Sequence, residues 1–169
     1  GSWSAGDRGL AAVPGREQEF RASLEPTLRY ARALKCDTVH VMAGVLSDET
    51  RRAEAERVYV DNLRHAATVL EGAGVTAVIE PINKSFGVVQ GGAAYTTQGM
   101  HGYFLNYSHQ ARAIIERVGH SNLKLHLDCY HMQILEGNLA RTLKESLPLL
   151  HHLQIAGVPG RHEPHVGEI

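Results

Sequence analysis

The sequence predicts an α/β protein whose strands pair in parallel. Four short apolar runs alternate with segments in which apolar residues recur every three or four positions, as they do on one face of a helix. This alternation is typical of right-handed strand–helix–strand units that build one parallel sheet. The gaps between the last three runs are each long enough to hold one crossover helix.

The first half of the chain contains two predicted helices and two predicted strands. Apolar spacing indicates a helix over residues 17–34 and a strand over residues 37–43. A capping signal at residues 47–49 begins a second helix, which ends at Gly72. The second strand, residues 75–80, follows at once.

The second half repeats the alternation after a long connection. A helix is predicted to begin at Ser108 as its N-cap and to end at Gly119. The third strand covers residues 123–128. A less regular helical pattern covers residues 138–147, and the fourth strand covers residues 149–156.

Two segments lie outside this pattern. Residues 1–16 are rich in Gly, Ser and Arg without periodicity, and we expect a leading loop that follows a preceding strand. Residues 87–102 carry no charged side chain and five glycines, in a connection far longer than the usual length of about 2 to 6 residues. They are either an active-site lid or an ill-ordered insertion. Together the chain, residues 1–169, is expected to form a single domain.

Composition favours a small-molecule partner. The 169 residues include 17 Lys and Arg against 18 Asp and Glu, so no strong field would attract nucleic acid or an anionic membrane. Two cysteines, Cys36 and Cys129, provide neither a disulfide framework nor a metal-binding pair. No apolar run approaches the roughly 20 residues of a membrane helix. We expect a cytoplasmic protein that binds no nucleic acid and no membrane.

Three of the apolar runs end on a polar residue that can bind a metal. These residues are Glu80, Asp128 and Gln154. Because the carboxyl ends of parallel strands meet at one edge of a sheet, we expect the three side chains to lie close together. Carboxylate and amide oxygens suit hard divalent cations, which predicts a Mg²⁺ or Mn²⁺ site. The alternative for each residue alone is a helix cap or a solvated charge.

Three further residues are candidates for substrate contacts. His131 is expected in the loop after Asp128, where it would donate a hydrogen bond or move a proton; a surface histidine is the alternative. Arg161 would hold a carboxylate with two hydrogen bonds, unless it belongs to an ordinary charged loop. His40 is either a histidine of the core or rim, or a substrate contact. The adjacent pair His151 and His152 is interpreted as structural, because neighbouring side chains in a strand face opposite ways.

Several segments carry a family resemblance that spans most of the chain. They cover residues 3–17, 39–44, 78–83, 127–131, 137–139 and 154–164. Together they resemble the hydroxypyruvate isomerase family, which belongs to the xylose isomerase-like (β/α)8 barrels. The resemblance implies conversion of hydroxypyruvate to tartronate semialdehyde, and close relatives with the same motifs isomerise 2-oxo-tetronates.

The resemblance also implies roles for individual residues. Glu80 matches a catalytic glutamate that is also a metal ligand, and Asp128 and Gln154 match further metal ligands. His131 and Arg161 match substrate-binding positions. A small 2-keto acid is the implied substrate, in a pathway of glyoxylate metabolism.

The resemblance places this chain on strands four to seven of the barrel. We therefore expect a truncated chain that forms a partial barrel of about four parallel strands with intervening helices. The family's second catalytic carboxylate lies on the eighth strand. Open sheet edges would favour self-association, so the alternative to an isomerase is a non-catalytic fragment that acts only by association.

Overall fold

The computed structural model describes residue 4 and residues 6–84, 88–90, 93–95 and 99–168. These residues contain six α-helices, six strands and a 3₁₀ turn at Glu49–Arg51. In chain order the helices and strands are α1 (Glu17–Ala22), α2 (Leu24–Leu34), β1 (Thr38–His40), α3 (Arg52–Glu71), β2 (Thr76–Ile79), β3 (Val88–Gln90), β4 (Ala93–Tyr95), α4 (Ser108–Val118), β5 (Leu123–Asp128), α5 (Cys129–Leu135), α6 (Leu139–Ser146) and β6 (Leu150–Gln154).

Four of the strands form one parallel sheet, in the order β1-β2-β5-β6. This confirms the predicted α/β class and the parallel pairing. The register places His40 beside Val78, and Asp128 beside Gln154. The residues that end β5 and β6 therefore share one edge of the sheet, as the spacing of the apolar runs predicted.

One face of the sheet packs against helices and forms the core. Leu125 and Leu127 of β5 and Ile79 of β2 are completely buried, together with Leu63 of α3. Burying each such side chain contributes about 1.5–3 kcal/mol, so this face supplies much of the stability. Side chains alternate along a strand, and the opposite face of β5 carries Lys124, His126 and Asp128. We call this the polar face of the sheet.

The helix predicted over residues 17–34 is divided into α1 and α2. The break lies at Ser23, the residue between them. Pro26 in the first turn of α2 has no N–H to donate to the carbonyl group of Ala22, and its ring disfavours a continuous helix there. The helical prediction was therefore right, while the prediction of one uninterrupted helix was wrong.

The N-terminus of α4 is capped by a distant residue. Ser108 was predicted to be the N-cap, but Ser108 is the first helical residue and Tyr107 takes the N-cap position. The Glu136 carboxylate accepts hydrogen bonds from the backbone N–H of Ser108 at 2.5 Å and from its hydroxyl at 2.7 Å. A negative charge also favours a helix N-terminus, so Glu136 ties α4 to the end of α5.

A short helix replaces the loop that was predicted after Asp128. Helix α5 begins at Cys129, and the backbone N–H of Tyr130 donates to Asp128 Oδ1 at 3.0 Å. Asp128 is thus an N-cap, which is one of the alternatives that the sequence left open. His131 lies on α5, so its position is fixed by a helix and not by a loop.

Strand β6 contains one extra residue relative to β5. Leu150 lies beside Leu125, whereas His152 lies beside His126, so His151 is a β-bulge. As a result, both histidines face the same way: His152 packs against the His126 ring, and His151 Nε2 lies 3.0 Å from Thr38 Oγ1. The prediction that adjacent side chains face opposite ways was wrong here.

The described residues of the leading segment, which form no α-helix or strand before α1, pack into the core. Ala11 and Ala12 are buried and donate backbone hydrogen bonds to Met42 and Ala43. Gly9, with φ of +100°, lies so close to Met42 that a Cβ atom would come within 2.3 Å of its carbonyl oxygen. Only glycine fits this approach.

The predicted insertion at residues 87–102 contains a two-stranded antiparallel pair, β3 and β4. Positions 87, 91, 92 and 96–98 of that prediction lie outside the described residues. No helix in the described part of the chain combines the length and apolar character needed to cross a membrane.

Candidate functional site

The candidate site lies at the carboxyl edge of the sheet, on its polar face. Glu80 follows β2 directly, Asp128 ends β5 and Gln154 ends β6. In parallel sheets this edge is where side chains from several strands converge on a ligand. Glu80 and Asp128 are buried, while Gln154 on the edge strand is exposed.

The two carboxyl oxygens of Glu80 face different groups. Oε2 lies 3.5 Å from His40 Nδ1 and 3.6 Å from His126 Nδ1. Oε1 lies 3.8 Å from His131 Nε2. These separations exceed the roughly 2.7–2.9 Å of a charge-assisted hydrogen bond. The carboxyl group therefore stands between two sets of imidazoles without being bonded tightly to either.

Burial raises the pKa of Glu80 to about 8, and the nearby Asp128 carboxylate adds to this effect, while Arg161 opposes it. Burial lowers the pKa of His40 to about 3 and that of His131 to about 4, and it lowers the pKa of His126 as well. At neutral pH the imidazoles are therefore uncharged and Glu80 is protonated. The contacts of 3.5–3.8 Å between Glu80 and the imidazoles are therefore not ion pairs.

Both carboxylate oxygens of Asp128 accept hydrogen bonds. One oxygen caps α5, and Oδ2 accepts a hydrogen bond from Arg161 Nη2 at 2.8 Å. The same guanidinium lies over the Tyr130 ring, 5.0 Å from its centroid. Asp128 is 1% exposed, so the arginine supplies the charge that this buried position needs.

His131 is held in one orientation by Asn83. The Asn83 side-chain amide donates to His131 Nδ1 at 2.8 Å. The proton of the neutral ring is then on Nε2, which points at Glu80 Oε1 and, 3.6 Å away, at Asp128 Oδ2. His131 Nε2 is accordingly arranged as a hydrogen-bond donor toward the two carboxyl groups, and its role in substrate binding stays a prediction.

The structure brings together five of the six predicted site residues: Glu80, Asp128, His131, Arg161 and His40. The sixth, Gln154, lies in register with Asp128, and its side chain reaches His126, where it favours the protonated imidazole. Their assigned roles stay predictions.

Two residues of the site were missed from the sequence, His126 and Asn83. His126 precedes Asp128 by two positions, and the period of a strand places the two on one face. That signal was available. Asn83 offers no comparable signal, because its position three residues after Glu80 implies no contact with a residue of α5.

The donor set suits a divalent cation. Glu80, Asp128 and Gln154 supply carboxylate and amide oxygens, the ligands that Mg²⁺ and Mn²⁺ prefer. Arg161 pairs with Asp128, while burial and the nearby Asp128 carboxylate raise the pKa of Glu80. A cation beside Glu80 would favour its ionised form, so the residues present fit the group that was predicted.

Comparison with known proteins places this chain in a family. Residues 2–168 match the family model described as xylose isomerase-like TIM barrel. The chain is 46% identical over 169 residues to the 2-oxo-tetronate isomerase of Cupriavidus necator, covering 100% of this chain and 60% of the relative. It is 38% identical to the hydroxypyruvate isomerase of Escherichia coli, with the same coverage of both chains.

A solved structure supports the fold along the whole chain. The crystal structure titled AP endonuclease, family 2, from Brucella melitensis matches with a TM-score of 0.88 and 39% identity, covering 100% of this chain and 60% of that one. The chain thus spans about 60% of the length of the relatives described here. The family match over residues 2–168, the parallel sheet and the full-length similarity agree, and the chain belongs to the xylose isomerase-like TIM barrel family.

Proposed function

We propose that this site catalyses the isomerisation of a short 2-oxo acid, with hydroxypyruvate as substrate and tartronate semialdehyde as product. The observation that carries the proposal is the convergence of Glu80, Asp128, His131 and Arg161 at one edge of the sheet. The names of the similar isomerases support the reaction class.

Arg161 is the residue that would bind the substrate carboxylate. Its guanidinium is partly exposed, and only Nη2 is engaged with Asp128. A guanidinium has five N–H donors, so others stay available for a carboxylate, which it can hold with two parallel hydrogen bonds. This contact would orient the substrate with its carbonyl group toward Glu80 and His131.

Glu80 is the residue that would move the proton. The reaction removes a proton from the hydroxyl-bearing carbon and returns one to the adjacent carbonyl carbon, through an enediolate, while a hydroxyl proton passes between the two oxygens. A carboxylate with a raised pKa is a stronger base, and a pKa near the working pH suits a group that must both accept and return a proton. His131 Nε2–H would donate to a substrate oxygen and stabilise its developing charge.

Glu80, Asp128 and Gln154 would hold Mg²⁺ or Mn²⁺ in this proposal. A bound divalent cation polarises carbonyl and hydroxyl oxygens, which makes the neighbouring C–H more acidic. In the chain itself, the role of these three side chains is to present oxygen donors on one side of the substrate position.

The second candidate substrate is a 2-oxo-tetronate. It is favoured by the 46% identity to the Cupriavidus necator enzyme, compared with 38% to the hydroxypyruvate isomerase of Escherichia coli. Both substrates present the carboxylate and the adjacent carbonyl that the site residues would recognise. Comparing kcat/KM for the two substrates at equal metal concentration decides between them.

The test is turnover by the purified chain with Mg²⁺ or Mn²⁺. We expect tartronate semialdehyde to form from hydroxypyruvate, and Glu80→Gln to reduce kcat by roughly 10²- to 10⁴-fold, the usual contribution of general acid–base catalysis. Glu145→Gln, at an exposed carboxylate paired with Arg141, is the matched control and should keep wild-type activity.

Absence of turnover with both substrates from a chain that is folded by circular dichroism would contradict the proposal. It would favour the alternative of a role through association only. Leu153 and Ile155, at 45% and 52% exposure near the end of edge strand β6, are the apolar side chains that such association would cover. A sizing measurement on the same sample reports it.

A further inference from the structure

Both ring nitrogens of His131 face one short segment of the chain, residues 80–83, which directly follows β2. The Asn83 side chain donates to Nδ1 at 2.8 Å, and Glu80 Oε1 lies 3.8 Å from Nε2. The proposed isomerisation involves Glu80 and His131 but assigns no role to Asn83. Asn83 is completely buried and His131 is 3% exposed, so bulk water does not compete for the contact between them.

We propose that Asn83 is a positioning residue, which fixes the proton of His131 on Nε2 so that the ring presents an N–H donor to a substrate oxygen. The position of the ring proton follows from the contacts of His131 alone. The identity of the acceptor, an oxygen of a short 2-oxo acid, rests on the proposed isomerase function. Asn83 itself would not touch the substrate and would act only through His131.

The contact at Nδ1 determines the form of the ring. The nitrogen of a side-chain amide carries two N–H donors and accepts no hydrogen bond. Nδ1 therefore offers its lone pair to Asn83, and the proton of the neutral ring is left on Nε2. An aspartate at this position would do the opposite, because a carboxylate only accepts hydrogen bonds and would hold a proton on Nδ1.

The surroundings of Nε2 independently favour the same form. Nε2 lies 3.6 Å from Asp128 Oδ2, which is paired with Arg161, and 3.8 Å from Glu80 Oε1. A lone pair on Nε2 would face the lone pairs of these oxygens, whereas an N–H is attracted to them. Both distances exceed the roughly 2.7–3.2 Å of a hydrogen bond, so the N–H is directed to this position and stays available to a ligand.

The backbone around Asn83 holds its amide in place. The Asn83 carbonyl accepts a hydrogen bond from the backbone N–H of Met100 at 2.8 Å. The carbonyl of the preceding residue, Ile82, accepts one from the Asn106 side chain at 2.9 Å. Because Glu80 and Asn83 belong to one anchored segment, the proposed base and the group that orients the donor keep a fixed relation. A donor oriented in advance needs no reorganisation when charge develops on the substrate.

The test replaces the amide donor by an acceptor of nearly the same size, in the variant Asn83→Asp. ¹⁵N NMR of the full chain labelled at histidine distinguishes protonated from unprotonated ring nitrogens, and the His131 signals are those lost in His131→Gln. We expect the wild-type ring to carry its proton on Nε2, and Asn83→Asp to place a proton on Nδ1. With hydroxypyruvate and Mg²⁺, kcat of Asn83→Asp should fall at least tenfold and KM should change less, because the donor acts on charge that develops during the reaction.

Asn106→Asp is the matched control, because this buried asparagine donates to the carbonyl of Ile82, one residue before Asn83. It makes the same chemical change beside the same segment and should leave the His131 proton on Nε2. A wild-type ring with its proton on Nδ1 would overturn the proposal. So would a folded Asn83→Asp chain in which Nδ1 stays unprotonated or kcat is unchanged.

If Asn83→Asp does not fold by circular dichroism, Asn83→Leu decides by the same two measurements. Leucine removes the donor without adding a charge, so both ring nitrogens should share the proton and kcat should fall. A ring that keeps its proton on Nε2 alone in this variant would contradict the role of Asn83. The NMR measurement needs neither substrate nor metal, so its outcome is separate from the turnover that tests the isomerase proposal.

Discussion

The two faces of the parallel sheet differ although the same strands build both. Along β5, Leu123, Leu125 and Leu127 enter the core, while Lys124, His126 and Asp128 alternate with them on the polar face. The apolar side chains are closely packed and need no hydrogen-bond partners. On the polar face, Glu80 has a raised pKa, and the imidazoles of His40 and His126 each have a buried nitrogen without a hydrogen-bond partner in the described part of the chain.

This difference shows that the helix-facing side of the sheet provides stability, while the polar face carries the groups that can do chemistry. The helix-facing side gains free energy from every residue that it buries. On the polar face, the burial of ionisable groups without full hydrogen-bond partners lowers the net free energy of unfolding. Such costs are typical of sites that bind a ligand, because a cation or substrate can supply the missing partner.

The largest expected effect tests the helix-facing side. Leu127→Ala should lower the free energy of unfolding by about 2–5 kcal/mol, because it removes buried methyl groups and leaves a cavity. His126→Ala, at the neighbouring position on the polar face, should cost clearly less, since it also removes an unpaired buried nitrogen. Urea denaturation of both variants measures the two losses. Equal losses would mean that the polar face contributes packing like the core.

The second prediction concerns the pH dependence on the polar face. The folded chain holds the Glu80 proton up to a pH of about 8, whereas the unfolded chain releases it near 4.5. The stability associated with this proton is therefore complete below pH 4.5 and is lost as the pH rises toward 8. Glu80→Gln, which resembles the protonated form, should be more stable than wild type at pH 7, by about 3 kcal/mol at most.

Urea denaturation at intervals from pH 4 to pH 9 without divalent metal measures this difference. It should be near zero at the acidic end and grow with pH. Adding Mn²⁺ should reduce it, because a cation beside Glu80 favours the ionised carboxylate. Parallel stability curves for the two proteins throughout this range would show that Glu80 is not buried as a neutral acid.

The smallest predicted effect concerns the long-range cap of α4. Glu136→Ala removes the acceptor for the Ser108 N–H and hydroxyl, and should cost about 1 kcal/mol, the usual value of a helix cap. Glu145→Ala, at an exposed carboxylate on α6, is the control and should change stability less. Thermal unfolding at constant pH provides the measurement. An unchanged transition in Glu136→Ala would show that water replaces the cap.

The fold and the centre of the site could be predicted because their signals are local in sequence. The apolar run that became β5 has the predicted bounds, since its turn residues and its alternation lie within it. Glu80 and Asp128 were found because each directly follows an apolar run. Parallel pairing then determines that they meet, without further information about tertiary contacts.

The missed features depend on contacts that are distant in sequence or on very short elements. The Glu136 cap joins residues 28 positions apart. Helix α5 has only 7 residues, too few for a helical period to be distinguished from the strand before it. The contact between Asn83 and His131 depends on how α5 leaves the sheet, which no local pattern determines.

The bulge at His151 has a consequence for how the length of this chain can vary. Leu150 and His152 are two positions apart and would share a face in a regular strand, yet Leu150 packs toward the helices and His152 toward the polar face. The extra residue thus shifts the alternation of side chains between the two faces by one position within β6. Deleting one residue at the bulge would leave a regular strand in which Leu150 and Gln154 keep their present sides, whereas deleting Leu153 would turn Gln154 away from the polar face. Single-residue deletions should therefore be tolerated at the bulge and on either flank of β6, but not between His152 and Gln154.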